Sequence, residues 1–238
     1  MKNDKVILQG PGEYEITFRE GPAEEIQYPK GYSISGSISA PAKWYTGKLA
    51  NDYPFEMEHI HVLVDSVKGE ITLKANDEFP DEMITISGFL HTSDIMRKFD
   101  VNGGKAFSFK EIIGLIKSMK YFFPDKEEHT KLLIELQNIN ATVLKTFEQK
   151  DDLKGNKVFR LEQEVQSKFK GEFKLNIPLF TGSLPSVFRV ETIIDLTDND
   201  IRFKLFSDEL YELIEKEKSD SIDTQLNLLS GLPIVFIQ

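Results

Sequence analysis

The chain has 238 residues, 40% of them hydrophobic, with eighteen phenylalanines and no cysteine. That is enough to bury a sizeable core, and it lies outside the composition of disordered chains. The absence of cysteine excludes disulfides, thiolate metal ligands and cysteine nucleophiles and fits a reducing cytoplasm, while a net charge of −10 argues against general nucleic-acid binding.

No stretch approaches the roughly eighteen apolar residues that a membrane helix needs. The run Val6-Ile7-Leu8 is too short for a signal-peptide core. The charge is uneven. Residues 207–223 carry seven acids against Lys216 and Lys218, whereas residues 145–174 carry eight bases against six acids, which leaves room for a local basic surface.

In chain order, the first third has the period of strands. "YSISGSISA" (32–40) alternates Ile34, Gly36, Ile38 and Ala40 against serines, and Pro41 is expected to end it. "EHIHVLVD" (58–65), "EITLK" (70–74) and "MITISGFL" (83–90) follow. Turn residues at 65–69 and 76–80 separate them, so an antiparallel meander is predicted. After Gly103-Gly104 the period becomes helical. Ser108 and Glu111 form an S-x-x-E capping box ahead of Ile112, Ile113, Leu115, Ile116 and Met119. Beyond Pro124, Asp125 caps a second helix, with Glu128 as the partner of a second capping box. Its apolar stripe is Leu132, Leu136, Ile139, Val143 and Phe147. A helical hairpin is predicted.

From Gly155 strands return. "EFKLNIPLF", "VFRVETIIDL" and "IRFKLF" each alternate cleanly, with Thr197-Asp198-Asn199-Asp200 as the turn between the last two. "VFRLEQEVQSKF" before them fits a helix or a long strand. An acidic helix is expected at about 207–218, and the chain closes on the apolar "LPIVFI". The expectation is an α+β fold: an antiparallel meander, a central helical hairpin and a C-terminal antiparallel sheet with a flanking helix. One domain spans 1–238, divisible into 1–104, 105–150 and 151–238.

The sharpest chemical signal is His59-x-His61. On a strand, residues two apart share a face, so two imidazoles plus a carboxylate could hold zinc or iron. The opposite face, Glu58, Ile60, Val62 and Val64, reads as the buried one, which makes the histidines solvent-facing decoration. Only His91 and His129 remain as further nitrogen ligands. No metal and no other cofactor is expected, and His59 and His61 stand as weak metal candidates.

No G-x-S-x-G, P-loop, G-x-G-x-x-G or H-E-x-x-H motif occurs. "NGGK" (102–105) reads as a turn before the Ser108 cap, and "DLTDNDIRF" as a polar hairpin turn rather than a cation loop. "KSMKYFFPDKEEHTK" sets Tyr121, Phe122 and Phe123 among Lys117, Lys120, Lys126 and Lys131, as a stacking platform for single strands would. Asp125, Glu127 and Glu128 offset that charge, and the aromatics are expected to be buried at a helix end.

Several of these stretches resemble a known family. "HVLVDSVKGEITL", "ITISGFLHTSDIMRKFDVN", "FSFKEIIGLI", "NIPLFTGSLPSVFRVETIIDL" and the closing "LPIVFI" are similar to the YfdQ-like proteins of phages and prophages, over roughly residues 30 to 237. The resemblance implies a phage or mobile-element origin, a bacterial cytoplasmic setting and no enzyme activity. It carries no catalytic motif that transfers residue by residue.

Expected, then, is a non-enzymatic phage protein that acts by binding, as a homo-oligomer held by the apolar strands "PIVFI" and "NIPLF", with a host or phage protein as a further partner and no membrane. The alternatives are a virion component and an accessory of phage DNA metabolism, such as a single-strand binding or annealing protein.

Overall fold

The computed structural model describes residues 31–51, 57–78, 80–148, 169–197 and 200–237. The alternation in the first third produces β2 (Ile60–Asp65), β3 (Glu70–Ala75) and β4 (Ile84–Phe89), an antiparallel meander as the spacing predicts. Ile60, Val62 and Val64 face the core with Ile71, Leu73, Ala75, Ile84 and Ile86. His61, Leu63, Thr72, Lys74, Thr85 and Ser87 lie on the other, half-buried face.

Two further strands flank this meander, and both run parallel to their neighbours. β1 (Tyr32–Ser37) pairs with β4, and β9 (Ile234–Ile237) pairs with β2, giving the order β1-β4-β3-β2-β9. "YSISGSISA" is therefore a strand only to Ser37. From Ala40 to Leu49 the chain forms helix α1, a departure from the expected all-strand reading. Pro41 sits in the first turn of α1, where its missing N–H is no loss. Ala42 and Tyr45 bury against the sheet. The helix approaches so closely that a Cβ on Gly88 would lie 2.7 Å from Pro41 Cδ.

The second half is built around another core. The short helix α2 (Asp94–Phe99), which the periodicity does not reveal, is capped by Ser93, whose hydroxyl accepts from the Met96 N–H at 3.0 Å. The Ser108–Glu111 capping box is complete at the start of α3 (Phe109–Ser118), just after the two-residue strand β5 (Phe107–Ser108). α4 (Lys126–Glu148) starts at Asp125, whose carboxylate accepts from the N–H groups of Glu127 and Glu128. The second box does not close. Glu128 reaches across to accept the Lys174 N–H at 3.1 Å, which ties α4 to the adjoining sheet instead. Leu132, Leu136 and Ile139 bury as the stripe predicts, while the side chains of Val143 and Phe147 lie outside the described set.

β6 (Glu172–Pro178), β7 (Pro185–Thr197) and β8 (Asp200–Phe206) form the expected antiparallel sheet, in the order β5-β8-β7-β6. Phe173, Leu175, Ile177, Phe188, Val190, Ile201, Phe203 and Leu205 fill its core face. The readings of "VFRLEQEVQSKF" and of most of the basic 145–174 stretch fall outside the described residues.

Helix α5 (Leu210–Leu228) continues well past residue 218 and joins the two halves. Leu210, Leu213 and Ile214 pack into the second core, whereas Ile222, Leu226 and the following Leu229 pack into the first. The chain then turns at Gly231 and returns to the first sheet as β9. The result is an α+β fold with two mostly antiparallel sheets.

The β2–β3 turn holds a charge whose effect on stability can be read out by pH. Asp65 is buried, accepts the Lys68 N–H at 2.8 Å and pairs with the Lys68 ammonium at 2.9 Å. The backbone N–H of Lys68 first, and then its ammonium, hold the Asp65 carboxyl below the usual carboxylate range. Asp65 in turn raises the Lys68 ammonium. A depressed acid stabilises the fold above its unfolded pKa and loses that contribution as pH falls through the folded one. A raised base behaves conversely at the alkaline end. Asp65→Asn should therefore lower the melting temperature between about pH 4 and pH 10, with the gap from wild type closing outside that window. Thermal melts across pH test this, and a gap that persisted unchanged at pH 2 would refute it.

Candidate functional site

The two histidines occupy the entry to β2. His59 closes a 3₁₀ turn (Met57–His59), and His61 is the second residue of the strand. They do not face open solvent, as the alternation suggested. Their side chains are 18% and 26% exposed, because the β3–β4 turn folds over them. His61 Nδ1 lies 2.8 Å from Asp77 Oδ2, and His59 Nδ1 lies 3.5 Å from Glu78 Oε1. Each imidazole thus meets its own carboxylate. Among the described residues no group of three or more histidines or acids is arranged to hold a metal. His91 is exposed beyond β4, and His129 is buried between the hairpin helices, its Nε2 3.1 Å from the Ile116 carbonyl.

The His61–Asp77 contact alters what mutation should do. An exposed strand site would tolerate threonine within about 0.5 kcal/mol. Losing one intramolecular hydrogen bond costs about 0.5–1.5 kcal/mol instead. His61→Thr is expected to fall in that higher range by urea denaturation, with wild type showing no change in melting temperature on adding a chelator. Stoichiometric zinc, iron or manganese in the purified protein would overturn the second half.

The lysine–aromatic cluster lies at the bend of the hairpin, on α3, the 3₁₀ turn Lys120–Phe122 and α4. Its aromatics separate. Phe123 is buried and stacks on Phe173 with centroids 5.3 Å apart, and Phe122 is half-buried. Tyr121 is not buried as expected. It is 92% exposed and meets the Phe122 ring edge-on at 5.5 Å. Lys117, Lys120, Lys126 and Lys131 are all exposed, as are Asp125 and Glu127. The bend therefore presents one largely exposed aromatic ring among cations and acids.

A groove of about 500 Å³ runs between α5 and the start of β7, with Leu184, Leu213, Glu217 and Asp220 among its walls. Here α5 lies along the stretch of β7 that β8 does not reach. The Glu209 carboxylate accepts the Arg189 N–H, and the Ser186 hydroxyl donates to Glu217 at 3.3 Å. That strand edge is covered by the helix, a common protection of unpaired edges.

Among the described residues β9 has no such cover. It is the terminal strand of its sheet among the described residues, and Val235, Phe236 and Ile237 are 48%, 63% and 43% exposed. Residues 228–237, "LLSGLPIVFI", contain no charge. "NIPLF" differs, since Ile177, Leu179 and Phe180 are core residues and present no apolar edge. Beside it, the Ser93 N–H donates to the Leu179 carbonyl at 2.9 Å and the Thr181 N–H to the His91 carbonyl at 2.7 Å. Local periodicity singled out both segments alike, and only the packing separates them.

No helix among the described residues is long and apolar enough to cross a membrane. No family model, curated protein or solved structure matches the chain.

Proposed function

We propose that this is a non-enzymatic protein of phage or prophage origin that acts by binding, as a homo-oligomer, in the cytoplasm of the infected bacterial cell. The origin and setting rest on the resemblance to YfdQ-like proteins. The binding role rests on one observation above all: among the described residues β9 ends its sheet, with three exposed apolar residues and no charge or proline among them. Natural sheet edges are usually blunted by charge, proline, a bulge or a covering element, and an unblunted edge is a pairing surface. Three polar pairs near the described surfaces are engaged in structural contacts: His61 with Asp77, Asp65 with Lys68 and Glu217 with Ser186. Light scattering on the purified protein at micromolar concentration tests the reading. A mass at or above twice 27.3 kDa is expected, and a strictly monomeric mass would count against it.

A second reading, single-strand nucleic-acid binding, is favoured by the exposure of Tyr121 among Lys117, Lys120, Lys126 and Lys131. One aromatic platform is worth about 1–3 kcal/mol per base, and phosphate neutralisation weakens steeply with salt. A gel shift at about 50 mM salt that disappears at about 200 mM, and at both salts in Tyr121→Ala, would support it. No shift at the lower salt ends it. A role in the virion would instead show as this protein in purified particles.

A further inference from the structure

Resting on the self-association reading, we infer the partner and the geometry of the β9 edge: a second copy of the same chain, with its β9 antiparallel across a two-fold axis centred on Val235. The backbone dictates this register. The Val62 N–H donates to the Pro233 carbonyl at 2.9 Å, and Val62 pairs with Ile234 and Val64 with Phe236. In a parallel ladder with that phase, Val235 and Ile237 turn their N–H and C=O groups toward β2. Ile234 and Phe236 turn theirs to the open side.

The open side is bounded at its start, because the Leu232 N–H is already donated back to the Leu229 carbonyl at 3.2 Å. The usable outward groups of the described strand are therefore those of Ile234 and Phe236. An antiparallel partner satisfies all of them when Ile234 of one copy faces Phe236 of the other, twice over, which sets Val235 opposite Val235 as the non-hydrogen-bonded pair.

Side chains agree with this register. Ile234 and Phe236 share the helix-covered face with Val62 and Val64, so each Phe236 ring would cover the other copy's Ile234. Val235 would meet its twin on the outer face beside Leu63. The chain's net charge of −10 opposes association in general, but residues 228–237 are uncharged, so the pairing strands themselves add no like-charge contact. Pairing β9 with the opposite edge, β1, would be head-to-tail and would leave free edges for further addition, an open filament. The two-fold arrangement closes, and it makes one continuous sheet from two copies.

The absence of cysteine makes the test clean, since a single introduced thiol has no competitor. Directly opposed residues of a non-hydrogen-bonded pair have Cα atoms about 4.5 Å apart, within reach of a disulfide. Under mild oxidation Val235→Cys should give a disulfide-linked dimer, at least tenfold faster than Phe236→Cys or Ile237→Cys. Phe236→Pro supplies a second arm. It removes an N–H that points away from β2, so the fold should still melt cooperatively while the mass falls to the monomer. An oligomer that cross-links best at another position, survives Phe236→Pro or grows into filaments would overturn this geometry and leave the self-association reading standing. A wild type that is monomeric throughout would overturn both.

Discussion

Phe173→Ala is expected to destabilise the protein by about 3–5 kcal/mol, the range for removing a buried aromatic ring. Phe173 is 1% exposed and its ring stacks on Phe123 at 5.3 Å and 27°. Phe123 in turn meets His129 edge-on at 4.8 Å, and His129 reaches the Ile116 carbonyl. These contacts fasten the hairpin of α3 and α4 to the sheet containing β6. Truncation leaves a cavity bounded by a strand and a helical turn, neither of which collapses easily, and removes an aromatic pair worth about 0.5–1.5 kcal/mol beyond its area. Chemical denaturation gives the difference directly. A loss below about 1 kcal/mol would mean that the hairpin does not pack on the sheet in this way.

Gly88→Ala should destabilise the first sheet by about 1–3 kcal/mol. Its Cβ would lie 2.7 Å from Pro41 Cδ, 2.8 Å from the Ser37 carbonyl oxygen and 2.9 Å from that of Ile38. Two of those three atoms are backbone and cannot rotate aside, so the end of β1 and the start of α1 must shift away from β4. Gly114 provides the opposite case. It is exposed within α3 and a Cβ there meets nothing within 4 Å, so Gly114→Ala should stabilise by about 0.5–1 kcal/mol. Thermal melts of the two alanine variants should move in opposite directions. Equal shifts would contradict the close approach of α1.

The elements that were legible in advance are those whose signal is local. Strand alternation at 60–65, 70–75, 173–177, 187–191 and 201–205 matches the buried faces, because a half-buried strand must alternate wherever its partner lies. The Ser108–Glu111 box and the Asp125 cap mark real helix starts, because unsatisfied N–H groups in a first turn need acceptors close in sequence. α1 and α2 were not legible. α1 follows a strand without a change in apolar period, and α2 is a helix of six residues whose cap, Ser93, looks like any turn serine. The candidate sites fared similarly. Spacing placed His61 on the face opposite Val62 correctly, but the carboxylate of Asp77 that covers it comes from the turn that follows the neighbouring strand β3, sixteen residues on in the chain.

What the sequence by itself determined is the class of fold and the location of the meander strands, of β6 to β8, of the helical hairpin and of the start of the acidic helix. All of these rest on periods and caps written within a few residues. The tertiary structure alone decided the rest. It set the parallel pairing of β1 with β4 and of β9 with β2, the span of α5 across two cores, and the difference between a buried "NIPLF" and an exposed "PIVFI". The physical reason is range. Val62 meets Ile234 across most of the chain, and no periodicity in either segment specifies which distant strand will satisfy its backbone or which will be left at the edge.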